Sequence, residues 1–301
     1  MKRVKIDGYL FGRMKRRIAE EALNEVGYSL KHGELCYTLA WGKPKYKLAG
    51  GLIESGFFWD AVHIDTCGLY QHSVLNNSLA KKQILSFRPP KTAKEIVFSP
   101  GVPNSKYRQR RERAEWSGVV LALQRPKDRS IKVVGTPEDY YDFVEGACKK
   151  WGKDLFLKEH PSGSSEHDRW VEMAKEHGCT IGKVNHNVIK NCKFCIVYNS
   201  GFAIDCMLRD VPVMQFAPGY FQRTGAVTYT DRKYLDEVED TIEMGHKLTD
   251  FVIWKYCINK QMPVDMWAKM IAYFAESNNS ELFPLPEEFS YASNKQWSIK
   301  K

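Results

Sequence analysis

The chain has 301 residues, 43% of them hydrophobic and 13% aromatic, with a formal net charge of +9. That is ample material for packed cores and excludes a disordered chain, and the length suits two ordinary domains better than one large one. No run approaches the ~18 apolar residues needed to cross a bilayer, and the opening Met1-Lys2-Arg3-Val4-Lys5-Ile6-Asp7 has no apolar signal segment. A cytoplasmic protein, in a bacterium or a phage-infected host, is expected, without membrane insertion.

Taken in chain order, the first 115 residues are the least regular. Residues 18–26 have helical spacing, and 35–40 and 52–53 look like strands, which suits an α/β unit. From Trp116 onward short apolar runs alternate with helical patterns, the signature of a parallel sheet. Strands are expected at 118–123, 155–157, 179–181, 194–198 and 211–216. Helices are expected from Thr136, from Ser164-Ser165, near Val188 and over 202–208. The helix from Thr136 is the best announced, with Pro137 in its first turn and Asp139 as the capping-box acid. Its Tyr140, Phe143, Val144, Ala147 and Trp151 fall on one face. A helical, aromatic tail runs from Leu248 to Phe274 with a break at Pro263.

The fold class read from this pattern is α/β, with two Rossmann-like domains and a helical C-terminal tail. The divisions are 1–118, 119–245 and 246–301, the last packing back across the other two. The eight cysteines are scattered through apolar stretches, so they read as buried thiols. Cys192 and Cys195 have C-x-x-C spacing but no second pair to complete a zinc site. No metal and no cofactor is expected.

In a doubly wound sheet, ligands bind beyond the carboxyl ends of the strands. Three such ends are polar: Gln124-Arg125-Pro126-Lys127-Asp128-Arg129-Ser130, Lys158-Glu159-His160-Pro161, and Asn199-Ser200-Gly201 leading into a helix. The third would aim backbone N–H groups and a helix dipole at a phosphate, although Asn and Ser also make plain helix caps. Asp205 is a lone carboxylate in Phe202-Ala203-Ile204-Asp205-Cys206-Met207-Leu208. Buried charge is costly without a partner, and a ribose or sugar hydroxyl would serve. Lys158 and His160 suit the stabilisation of a departing phosphate.

This series, with Asp210-Val211-Pro212-Val213 and Gly219-Tyr220-Phe221…Thr224-Gly225-Ala226-Val227-Thr228 after it, resembles the capsular-polysaccharide glycosyltransferases, which include the Kdo transferases. Upstream, Ile53-Glu54-Ser55-Gly56-Phe57-Phe58 and Ile64-Asp65-Thr66-Cys67-Gly68…Ser73 resemble that family's acidic motifs. The likeness runs in order over residues 36–230. It implies a GT-B fold and a metal-independent transferase with a nucleotide-sugar donor on the C-terminal half. On that resemblance, Lys158, His160, Asn199, Ser200 and Asp205 hold the donor, and Glu54, Asp65 or Asp128 supplies the catalytic carboxylate; Gln124 and Gly201, at the same strand ends, are placed in the donor site with them. The family often has Glu where Asp205 stands. Chemically, Glu54 is the preferred base, because a carboxylate facing cations on the opposite lobe meets both needs of the reaction.

Residues 1–118 hold 21 Lys+Arg against 11 Asp+Glu, so the whole positive excess lies there. Arg16 and Arg17, with Lys106, Arg108, Arg110 and Arg111, form basic stretches near Tyr9, Phe11, Tyr107 and Trp116. A solvated basic face is the commoner meaning of such runs, but basic stretches with aromatics also suit a nucleic-acid backbone. The leading expectation is therefore transfer of a sugar to a hydroxymethylated pyrimidine in DNA, flipped from the duplex, as in a phage-type modification system. The competing expectations are a capsular or surface glycan or glycolipid acceptor, a nucleotide-sugar epimerase or hydrolase, and a non-catalytic nucleic-acid-binding protein.

Overall fold

The structure, a computed structural model, describes residues 2–6, 16–30, 34–41, 50–58, 60–65, 70–100, 114–163, 165–277 and 285–293, with backbone alone at 6, 16–18, 34–41 and 50–55. The first part builds β1 (Lys2–Ile6), α1 (Arg16–Glu25), β2 (Tyr28–Ser29), β3 (Glu34–Trp41), β4 (Gly50–Ser55) and β5 (Ala61–Asp65). These strands pair in the order β5-β4-β3-β1-β2. The pairs from β4 to β2 are parallel, and β5 turns back antiparallel to β4 with Glu54 opposite His63. Helices α2 (Ser78–Ser86) and α3 (Ala93–Val97) follow. Asn77 caps α2 by accepting from the Leu79 N–H, and a Thr92–Glu95 capping box starts α3.

The second sheet comes from one contiguous stretch: β6 (Val119–Ala122), α4 (Arg129–Lys132), α5 (Pro137–Trp151), β7 (Leu155–Lys158), α6 (His167–His177), β8 (Thr180–Gly182), β9 (Phe194–Val197), α7 (Phe202–Met207), β10 (Val213–Gln215) and β11 (Thr228–Tyr229). Every pair in it is parallel, in the order β11-β10-β9-β6-β7-β8. The chain winds outward from β6 to β8, then crosses to β9 and winds the other way. The switch point therefore lies between β6 and β9. Strands β6, β7, β9 and β10 are buried throughout, as sheets covered on both faces require. The Thr136–Asp139 capping box is present at the head of α5. Helix α6 starts at His167, a little later than Ser164-Ser165 suggested, and Gly178 ends it in the left-handed region at φ 72°.

The tail holds a strand that the sequence did not announce. Between α8 (Ile242–Lys255) and α9 (Val264–Glu276) lies β12 (Cys257–Asn259), which pairs antiparallel with β5 at the edge of the first sheet. On α9, Trp267, Met270, Ile271 and Phe274 share a core with Ala22 and Leu23 of α1 and with Val4, Val62 and Ile64. A larger core joins Phe57 and Phe58 to α8 and to the inner faces of β6 and β9. The described cysteines are free, Cys192 and Cys195 included. No helix among the described residues is long and apolar enough to cross a membrane.

Candidate functional site

A cleft of about 540 Å³, its open mouth included, lies beyond the carboxyl ends of β6 and β7 and above the start of α7. Ala122 and Leu123 floor it, and Lys158, Glu159, His160 and Pro161 form one wall. Ser200, Gly201, Phe202 and Asp205 form another, His186 a third, and Phe57 of the first part closes it. Of the expected donor residues, Lys158, His160, Ser200, Gly201 and Asp205 are thus brought to one place.

Asp205 is 6% exposed and its partners are protein groups. His186 Nδ1 lies 3.0 Å from Oδ1, and the Arg209 guanidinium donates to the same oxygen at 3.3 Å and to the Asp205 carbonyl at 2.9 Å. Burial alone would raise this carboxyl. His186, Arg209 and Lys158 outweigh burial and hold it below the usual carboxylate range. Burial pushes His186 the other way from the pull of Asp205 and wins, so the imidazole is kept neutral with Nδ1 donating to the carboxylate. The carboxylate that the sequence offered to a sugar hydroxyl therefore orients a histidine.

Lys158 is 2% exposed, with its Nζ 5.3 Å from the centre of the Phe202 ring. The Ser162 N–H donates to His160 Nδ1 at 3.2 Å, which places the proton of a neutral His160 on Nε2. Glu159 meets His167 Nδ1 at 2.9 Å and Lys183 Nζ at 3.9 Å. Of the ionised groups lining the cleft, Lys158 stands with Glu159 and Asp205, and these two carboxylates are met from outside the lining by Lys183 and Arg209. With both carboxylates paired, Lys158 is a cation the lining can offer to an anionic ligand.

Gln124 and Asn199 are put to a different use from the one expected. They face each other across the switch point. Gln124 Nε2 donates to Asn199 Oδ1 at 3.1 Å, and the Asn199 N–H donates back to Gln124 Oε1 at 3.2 Å. The remaining Gln124 donor goes to Ser130 Oγ, and Asn199 Nδ2 goes to the Ser130 and Pro218 carbonyls. With their polar atoms consumed, the two amides are the frame that closes the crevice, and the ligand space is displaced toward β7. The start of α7 also differs from an open phosphate cradle. The Phe202, Ala203 and Ile204 N–H groups donate to Ser200 Oγ, Ser200 O and Gly201 O. The N–H groups of Ser200 and Gly201 carry no hydrogen bond among the described residues. Gly201 is required by proximity, since a Cβ there would lie 2.9 Å from Phe57 Cδ1.

The candidate bases separate. Asp65 is 1% exposed and accepts from Ser73 Oγ at 2.6 Å, Tyr256 Oη at 2.7 Å and the Val74 N–H at 3.0 Å. It ties β5 to the following turn and to the end of α8, which accounts for its burial and leaves it poorly placed to take a proton from a substrate. Burial, then the Asp65 charge, pushes the Tyr256 phenol far up and keeps it a donor. Asp128 precedes α4 without a side-chain cap and pairs with Arg125 at 3.5 Å, away from the cleft lining. Glu54 sits on β4, three residues before Phe57, with its side chain outside the described set. The side chains of Arg16 and Arg17 lie outside it too, as do Lys106, Arg108, Arg110 and Arg111 entirely.

Sequence reasoning missed His186 and Phe57. His186 stands four residues beyond the end of β8, so the rule of polar residues past strand ends, applied to a fourth strand, would have found it. Phe57 lies inside a quoted motif but was passed over for Glu54.

No family model and no curated protein matches the chain. Solved structures do. The beta Kdo 2,7 transferase of Thermosulfurimonas dismutans KpsC matches with a TM-score of 0.54 and 15% identity, over 86% of this chain and 92% of that one. The beta Kdo 2,4 transferase of the same KpsC matches at 0.54 and 13%, over 82% and 89%. The chain shares their fold. A UDP co-structure of S. aureus MnaA overlaps 98% of the chain at a TM-score of only 0.32 and 10% identity, and carries no weight here.

Proposed function

We propose that the protein is a glycosyltransferase of the GT-B type that moves a sugar from a nucleotide-sugar donor to a hydroxyl acceptor, with the cleft as donor site. One observation carries this reading: Lys158, His160, His186, Ser200, Gly201 and Asp205 converge beyond the carboxyl ends of parallel strands, in one pocket. The fold shared with the two KpsC transferases supports it.

In the reaction the acceptor oxygen bonds to the anomeric carbon as the bond from that carbon to the phosphate oxygen breaks. The leaving nucleotide keeps the electron pair, and the acceptor proton passes to a base. Lys158 and the Nε2–H of His160 stabilise the phosphate as its charge grows. The unoccupied N–H groups of Ser200 and Gly201 add donors. Asp205 fixes the tautomer of His186, so that this ring meets the donor as a neutral group. Glu54 is the proposed base, on the strand that leads to Phe57, and no residue assigned to the chemistry calls for a metal ion.

The finer acceptor expectation, a hydroxymethylated pyrimidine in DNA, is supported by the basic excess of residues 1–118. A surface glycan is the competing acceptor. The test is incubation with a panel of uridine and cytidine nucleotide sugars and either hydroxymethylated duplex DNA or glycan acceptors, followed by nucleotide release and acceptor mass. Acceptor-dependent nucleotide release with a matching mass gain is expected. Release that ignores every acceptor would replace transfer with hydrolysis, and conversion to an isomeric nucleotide sugar without net release would replace it with epimerisation.

A further inference from the structure

A second groove, of about 1010 Å³, lies beside α2, and its wall includes Gln71, His72, Ser78, Lys81 and Arg223. No carboxylate among the described residues lines it. The side chains of Lys81 and Arg223 have no ion-pair partner among the described residues, and both residues are exposed. The nearest carboxylate by bonding, Asp65, is buried behind Ser73 and Val74 with its oxygens occupied by Ser73, Val74 and Tyr256.

The groove is held in shape from below. Asn76, 8% exposed, donates to the Gly219 carbonyl at 2.9 Å and accepts from the Arg223 N–H at 3.1 Å. One buried amide thus grips both ends of the 219–223 segment and fixes where Arg223 departs from it. In the same segment Tyr220 and Phe221 pack against Phe57, the residue that closes the cleft. Gly225 follows at φ 80°, and a Cβ there would come 3.9 Å from Lys81 Nζ, so the turn and the ammonium are neighbours. At the wall, Gln71 Oε1 is buried and has no donor among the described residues.

Two cations set around one concavity with no carboxylate among its described lining raise the local potential in favour of an anion. A phosphate fits: it carries enough charge for both cations and enough oxygens to meet Arg223 and Lys81 together. We infer that this groove is a second binding site, for a phosphate-bearing ligand, joined to the cleft through residues 219–223. The site stands whether or not the cleft takes a nucleotide sugar.

The experiment is calorimetric titration of the full chain with glucose 6-phosphate and with inorganic phosphate. In the Lys81→Ala/Arg223→Ala double variant both affinities fall at least about tenfold, the scale of one lost charge-assisted contact. Lys81→Arg retains binding, and so does His160→Ala in the cleft, which keeps this result separate from the fate of the transferase reading. Tighter binding of glucose 6-phosphate than of phosphate marks an organic phosphate as the ligand, and equal binding marks the free anion. If neither anion binds the wild type, or if the double variant binds both as the wild type does, the assignment is wrong.

Discussion

The two sheets are built in opposite ways. The sheet that carries the cleft is made from one contiguous stretch, β6 to β11, all parallel. The other is mixed, and its outer strand β12 comes from residues 257–259, almost two hundred positions after β5 in the chain. In the first case short β–α units set which strand ends share an edge, so the ligand site is a local product of the sequence. In the second, an edge and much of the core wait for the tail to dock. The tail therefore packs against both sheets and contributes no residue to the described lining of the cleft.

The sharpest way to break that comparison is Trp267→Ala. Trp267 is 2% exposed in the core shared by α9, α1 and the first sheet. Its truncation should cost about 3–5 kcal/mol, read as a lowered denaturant midpoint, while nucleotide binding to the protein that remains folded is unchanged. A selective loss of nucleotide affinity would place the tail in the site.

Within the cleft sheet, Asp205→Ala removes one member of a buried ionic cluster and takes a carboxylate away from His186 and Arg209. About 3 kcal/mol of stability should go, together with donor affinity. Asn199→Ala should cost about 1–3 kcal/mol, because Gln124 and the Ser130 and Pro218 carbonyls lose partners. Its signature is a lower melting temperature with donor affinity nearly intact, which separates frame from lining.

The smallest effect is on pH dependence. His186 has a folded value lowered from 6.5 by burial, so between that lowered value and 6.5 the unfolded chain binds a proton that the fold refuses. Stability should fall as pH drops below 6.5. Asp205, also lowered, adds its own loss only as pH falls below 3.8. Unfolding midpoints measured from pH 8 to 5 should show the first slope, and His186→Gln should flatten it.

How far this was legible in the sequence follows from the same contrast. Strands β6, β7 and β9 were plain because a parallel strand buried on both faces is a continuous apolar run, and α5 was plain because Thr136, Pro137 and Asp139 are local signals. Strand β12 was not, because three residues after a helix carry no periodicity of their own and pair only through a distant edge. At the site, polar residues past strand ends pointed to two loops that line the cleft, at 158–161 and from 200 onward, but not to the framing part that 124–130 plays. Gln124 and Asn199 look like ligand groups until their reciprocal bonds across β6 and β9 are seen. Asp205 was rightly read as needing a partner. That the partner is His186, nineteen positions earlier, depends on how the chain returns after β8.

The central claim is that the cleft beside Lys158 and His160 holds the nucleotide. Equilibrium titration of wild type and His160→Ala with UDP and CMP tests it most directly. One of the nucleotides should bind the wild type and weaken at least about tenfold in His160→Ala, the loss of one charge-assisted contact, with the melting temperature unmoved. Equal binding to both proteins, or no binding of either nucleotide, would contradict it.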